Sequence, residues 1–360
     1  MWSHLYAISL TLILCRAAST PPEPDSKTGW IPSFTNLVVF GDSYTDESRL
    51  SYFITHKGEA PPTGYLPPSS TSTAGGGVTW ARFVSINSGA KLYNYAVAGA
   101  VCDNKIISRY VPAINGPFPD VVYEVNAFVA DSKYSDPSTK IPFYPDRYEN
   151  NTVYSIWIGT NDIGVSGFLT DSNLGGSTLE TFTTCIFDKF DQIYATGGRY
   201  FVIMNLAPLQ LSPLYGIPGA GGLSKSSYWA DKPDNGTEVS GKMREYTKTV
   251  NALFNYRVPY ESLVAKRYPG ASFAIFDTNS LISDIYYSPN DYLTPPANAT
   301  DQYFKCEPVF GGACTKKPEG LDHYLWFDEL HPSEKTDEVI AGEFTKVVKG
   351  TSKYAKYWKS

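Results

Sequence analysis

Apolar positions along this chain fall into two alternating patterns. Short runs rich in Val, Ile, Phe and Tyr recur five times: "NLVVF" (Asn36 to Phe40), "KLYNYAV" (Lys91 to Val97), "TVYSIWI" (Thr152 to Ile158), "RYFVIMNL" (Arg199 to Leu206) and "SFAIFD" (Ser272 to Asp277). Their length and β-branched or aromatic content predict strands. Between and after them lie stretches with helical spacing: "TWARFVSIN" (Thr79 to Asn87), "DVVYEVNAFVADS" (Asp120 to Ser132), Thr178 to Gly198, Glu238 to Gly270 and "SEKTDEVIAGEFTKVVKG" (Ser333 to Gly350). Gly197–Gly198 and Gly350 are C-terminal stops. Strands that alternate with helices predict a parallel sheet covered on both faces, here a five-stranded, three-layer α/β/α single domain. Right-handed crossovers place all strand C-termini along one edge, where ligands of such folds bind. Two long segments rich in Pro, Gly, Ser and aromatics, Gly58 to Gly77 and Gln210 to Asn235, have the length of lids or walls.

That edge carries the candidate chemistry. The first strand runs into "GDSY" with Ser43, the second into "AVAGA" with Gly99, the third into "GTNDIG" with Asn161. Past the fifth strand, just before the final helix, comes "DELHP" with Asp328 and His331. Ser43 can attack a carbonyl if a base takes its proton, and imidazole titrates in the right range. Asp328, three residues before His331, can bond the other ring nitrogen and fix its tautomer. The N–H groups of Ser43 and Gly99 and the Asn161 amide can bind the resulting oxyanion. Each residue taken singly also has a plain structural role. Gly41, Asp42 and Ser43 are turn formers, Gly99 a strand-end glycine, Asn161 a turn or N-cap residue, Asp328 a solvated loop acid. Asp162 reads as a helix-start carboxylate with no catalytic part. His323 is the rival base and His56 reads as solvent-facing. Tyr44, Trp80, Trp157 and Trp326 read as core more readily than as a sugar-stacking platform.

The four blocks together resemble the GDSL, or SGNH, hydrolase superfamily, marked by Ser, Gly, Asn and His in that order. Here these are Ser43 in "FGDSYTD", Gly99 in "YNYAVAGA", Asn161 in "IGTND" and His331 in "DELHP". Tyr44 departs from the nominal Gly-Asp-Ser-Leu, at a position with no mechanistic role. More narrowly, "NLVVFGDSYTD", "NYAVAGAVCDN", "NLAPL" and "WFDELHPSE" look like fungal acetylesterases of carbohydrate esterase family 16. The resemblance implies a flavodoxin-like fold and removal of acetyl groups from acetylated sugars and hemicellulose fragments, with no metal or organic cofactor. A lipid esterase of the same mechanism and a non-catalytic carbohydrate-binding protein are the rival readings. An α/β-hydrolase elbow is disfavoured, because Gly-x-Ser-x-Gly would need glycine where Thr45 stands.

Composition narrows the setting. The chain has 360 residues, 27 Tyr, 19 Phe, 7 Trp and a net charge of -6. Without a basic stripe, nucleic acid is an unsuited partner. "LYAISLTLILC" (Leu5 to Cys15) followed by "RAAST" reads as a signal peptide over residues 1–19, leaving residues 20–360 as the catalytic domain. That run is short for a bilayer span, and no other segment has a transmembrane pattern. With Cys15 removed, Cys102, Cys185, Cys306 and Cys314 form an even set suited to an oxidising compartment. Three pairings are open. Cys306 with Cys314 closes the short "CEPVFGGAC" loop, and Cys102 with Cys185 then follows by exclusion. Sequons at Asn150, Asn235 and Asn298 fit a secreted glycoprotein. The sequence leaves the oligomeric state open.

Overall fold

The computed structural model describes residues 30–308 and 312–360. The signal-peptide segment therefore lies outside the described residues. Five parallel strands form the central sheet: β1 (Asn36–Gly41), β2 (Lys91–Asn94), β3 (Thr152–Trp157), β4 (Tyr200–Met204) and β5 (Ser272–Phe276). A sixth, β6 (Ala355–Lys359), pairs antiparallel to β5 with Ala355 opposite Phe276. The expected five-stranded sheet is thus six-stranded. The extra strand escaped the apolar pattern because "AKYWK" sets Lys356 and Lys359 among partly exposed residues, as suits an edge.

Strand order is β6–β5–β4–β3–β1–β2. Every residue of β1 and β3 is buried, which explains why both read as continuous apolar runs rather than alternating ones. The chain leaves β1 for β2 in one direction, then crosses back to β3 on the other side. The switch point of the sheet therefore falls between β1 and β3, where such folds open a crevice. Right-handed crossovers separate the helices accordingly. Helix α2 (Trp80–Ser88) packs with α8 (Glu334–Lys349) on one face. On the other, α3 (Val121–Asp131), α5 (Leu179–Ala195) and α6 (Gly236–Pro259) lie side by side.

Local signals account for most helix ends. The side chains of Thr79, Asp120, Thr178 and Ser333 accept from the first-turn N–H groups of α2, α3, α5 and α8, and Gly350 closes α8 in the left-handed region. The stretch Glu238 to Gly270 is not one helix. α6 stops at Pro259 and continues as a wide turn over Tyr260–Val264. Proline has no N–H for the carbonyl four residues back, and its ring pushes that turn open. Regular pairing of β2 ends at Asn94, three residues before the expected Val97: the Asn94 side chain bonds the Ala96 N–H and the Thr45 carbonyl, while the Tyr95 and Val97 N–H groups still bond the Val39 and Gly41 carbonyls of β1. Two further helices carry no strong pattern in the sequence: α1 (Arg49–Thr55) and α7 (Thr278–Tyr287). The four aromatics considered as a stacking platform are core: Tyr44, Trp80, Trp157 and Trp326 are all buried.

Candidate active site

Strand β1 ends at Gly41, whose φ of 152° and close approach to the Trp157 carbonyl leave no room for a side chain. The turn that follows places Ser43 at the switch point. Its Oγ lies 2.8 Å from His331 Nε2. His331 Nδ1 lies 2.8 Å from Asp328 Oδ2 and 2.9 Å from Oδ1. Asp328 Oδ1 also accepts the backbone N–H groups of Leu330 and His331, each at 2.8 Å, so the loop folds around its own carboxylate. All three residues are buried. His331 rather than His323 is the histidine that reaches Ser43, and His56 is exposed, stacked on Tyr52.

Gly99 has φ 84°, and a side chain there would run into the Phe118 ring. Only glycine suits both demands. Arg109 stacks over Phe118 and donates to the Gly99 carbonyl at 2.8 Å. The one-turn helix α4 (Thr160–Ile163) after β3 carries Asn161, whose amide donates to the Ala100 carbonyl at 2.9 Å. This bond uses one amide N–H and fixes the side chain beside the Gly99 loop. Asp162, buried, accepts the Cys102 N–H at 2.9 Å. Its carboxyl is pushed up to about 7 by burial, with Asp42 adding to the effect. It braces this loop and does not approach Ser43 through any hydrogen bond among the described residues.

Electrostatics tune the imidazole. Burial disfavours the His331 imidazolium, but the Asp328 charge, its hydrogen bond, and the charges of Asp42 and Glu329 outweigh it. The net result is a pKa above the ordinary 6.5. Burial likewise works against ionised Asp328, but His331 and the backbone N–H groups hold its carboxyl below the usual range. Asp42 is the opposite case: burial pushes it up to about 6 although Tyr44 N–H and the His331 charge favour its anion.

Several residues here carry no motif. Tyr44 packs edge-on to His331 and to Trp157 and donates to the Leu330 carbonyl at 2.9 Å. The tyrosine that departs from Gly-Asp-Ser-Leu therefore ties the Ser43 turn to the histidine loop. Tyr228, from the Gln210–Asn235 segment, donates to Asp328 Oδ2 at 2.9 Å. A cavity of about 150 Å³ lies beside it, lined in part by Gln302, Phe304, Phe327 and Asp328. The only sequence signal for Tyr228 was the length of its loop.

Both disulfides are formed. Cys102–Cys185 joins the loop after Gly99 to α5, and Cys306–Cys314 closes a small antiparallel hairpin. Asn150 and Asn235 are exposed and Asn298 is half-buried.

A hydroxyl, an imidazole and a carboxylate in unbroken hydrogen-bond contact define a serine-hydrolase type of site. Residues 37–344 match the family model described as GDSL-like Lipase/Acylhydrolase. An acetylesterase of Hypocrea jecorina is 44% identical over 327 residues, covering 90% of this chain and 92% of that protein. An acetylesterase of Thermothelomyces thermophilus is 26% identical, covering 88% of each. A GDSL esterase/lipase of Arabidopsis thaliana is 24% identical, covering 94% of this chain and 98% of its own. The chain belongs to the GDSL-like lipase/acylhydrolase family and is a carboxylic ester hydrolase.

Proposed function

We propose that this protein is a secreted acetylesterase that removes acetyl groups from acetylated carbohydrates through an acyl-enzyme on Ser43. The observation that carries the mechanism is the continuous contact from Ser43 Oγ through His331 to Asp328. The acetyl specificity is supported by the similarity to the Hypocrea jecorina acetylesterase over nine tenths of the chain. Secretion is supported by the two disulfides and the signal-like first nineteen residues. Residues 20–360 act as one catalytic domain, with Asn150, Asn235 and Asn298 as its glycan acceptors.

In the first step the Ser43 oxygen attacks the acetyl carbonyl while His331 Nε2 takes its proton. The N–H groups of Ser43 and Gly99 and the free amide N–H of Asn161 bind the oxyanion. His331 then protonates the departing sugar hydroxyl, leaving acetyl on Ser43. Water attacks that ester with His331 again as base, and acetate leaves as Ser43 regains its proton. Asp328 stabilises the imidazolium formed in each half-reaction.

The test is a series of soluble esters from acetate to octanoate, alongside acetate release from acetylated xylo-oligosaccharides. A small acyl site gives kcat/KM that falls with chain length. A steady rise, in keeping with about 0.8 kcal/mol per buried methylene, would overturn the acetyl reading in favour of a lipid ester.

A further inference from the structure

The long segment Gln210–Asn235 is fastened to the histidine loop chiefly through Glu329. Glu329, 2% exposed, accepts the Tyr228 N–H at 2.6 Å, the Ser227 hydroxyl at 3.0 Å and the Ser227 N–H at 3.3 Å. Leu214 N–H donates to the Glu329 carbonyl at 2.7 Å. Lys232, whose charge faces Glu329, donates to the carbonyls of Leu214 and Leu223 at 2.7 and 2.6 Å. The backbone of Tyr228 is thereby held in place although its side chain is 48% exposed. From there its hydroxyl reaches Asp328 Oδ2, the oxygen nearer to His331 Nδ1. Its ring stands edge-on to the imidazole at 5.9 Å and 82°.

We propose that Tyr228 is a positioning residue for the acyl-transfer reaction, fixing the Asp328 carboxylate against His331 and setting the basicity of that histidine. The proposal rests on the acyl-enzyme reading above. Asp328 Oδ1 is held by two backbone N–H groups, but Oδ2 is held, apart from the imidazole, by Tyr228. Without that donor Oδ2 keeps the imidazole as its one partner, and the contact between carboxylate and imidazole is less firmly fixed on that side. The hydroxyl also draws charge from Oδ2, which weakens the pull of Asp328 on the imidazolium. The charged groups facing His331 are Asp328, Asp42 and Glu329, all of which favour its protonated form. Asp328 faces His331 and Tyr228, and the Glu329 and Tyr44 side chains feel its charge. Burial and the neighbouring Asp328 keep the Tyr228 phenol protonated far above neutral pH, so it acts as a donor throughout the working range. Tyr228 thus opposes the three anions.

Tyr228→Phe removes the hydroxyl and keeps the ring. On a soluble acetyl ester, the acid limb of kcat/KM is expected to move upward by about half a pH unit. The plateau kcat is expected to fall about three- to tenfold with KM unchanged, because a charge-assisted hydrogen bond is lost without loss of ring contact. Independently of turnover, the NMR titration of the His331 Cε1 proton should move upward by the same amount as the acid limb. A lower kcat with an unmoved His331 titration would show a merely structural role and overturn the proposal, as would no change in either. Labelling of the wild-type enzyme with a fluorophosphonate separates the two readings. If Ser43 is not the labelled residue, the acyl-enzyme reading fails and this proposal with it. If Ser43 is labelled and Tyr228→Phe behaves as wild type, only the assignment to Tyr228 fails.

Discussion

The Ser43 side and the Asp328–His331 side of this site, its proposed nucleophile and acid–base sides, are built by different means. On the first, each loop leaves the end of a parallel strand and is fastened through its backbone to a buried carboxylate. Glu124 accepts the N–H groups of Gly41 and Val97, and Asp46 accepts that of Ala98 while capping α1. Asp162 holds Cys102. Burial drives the Glu124 and Asp46 carboxyls upward, against the backbone N–H groups that favour their anions. On the second side, Asp328 and His331 come from a loop between a short strand, Tyr324–Trp326, and α8, away from the end of any strand of the central sheet. Side chains from another long loop brace it, with Glu329 and Tyr228 as the links. The comparison teaches that strand geometry delivers Ser43, Gly99 and Asn161, whereas the placement of His331 depends on loop-to-loop packing.

The largest expected effect breaks both sides at once. Ser43→Ala and His331→Ala should each lower kcat by about 10⁴ or more, and the double variant little further, because the residues act as a unit. Circular dichroism and thermal melts should match wild type. Additive losses in the double variant would show that the two halves do not share one mechanism.

The disulfides separate the halves next. Cys102–Cys185 spans 83 residues and ties down the Gly99 loop, whereas Cys306–Cys314 spans 8 in the hairpin near Tyr228. By loop-closure entropy, removing the first costs about 4.5 kcal/mol and the second about 2.5 kcal/mol. Paired Cys→Ser variants measured by denaturant unfolding should preserve that order. Equal losses would mean that unfolded-state closure is not the dominant effect.

Asn161→Ala acts on the nucleophile side alone. It should cost about a hundredfold or more in kcat with little change in KM, since the amide serves the oxyanion and not the ground state. A KM effect with kcat intact would remove Asn161 from that role.

The smallest effect sharpens the electrostatics across the two sides. His331 must be neutral to accept the Ser43 proton, and its pKa is raised. Activity should therefore fall as pH drops through a value above 6.5. Asp42 sits on the nucleophile turn, yet its charge favours the His331 imidazolium. Asp42→Asn removes that charge while leaving an oxygen for the Tyr44 N–H, so the acid limb should move downward by less than about one pH unit. An upward movement would reverse the assigned sign.

How much was legible in the sequence follows the same division. β1 and β3 are buried on both faces, so their apolar runs stood out, and Ser43 and Asn161 follow directly from their ends. Gly99 was legible from its place in "AVAGA" after the second strand, and the structure adds that its backbone conformation and the Phe118 ring leave no room for a side chain. Asp328 and His331 showed by their own spacing, since a three-residue separation lets one loop bond itself. The antiparallel strand β6, the break at Pro259 and the links through Tyr228, Glu329 and Tyr44 were not legible. A single tyrosine in a loop has no period, and its partner lies a hundred residues away. The amino-acid sequence by itself determined the layer order, the candidate reacting groups and the edge at which they meet, because burial and backbone conformation leave a local signature. Tertiary structure alone decided which loop steadies the base and how far its pKa rises, because hydrogen bonds between distant loops and the desolvation of a buried charge depend on packing that no local pattern records.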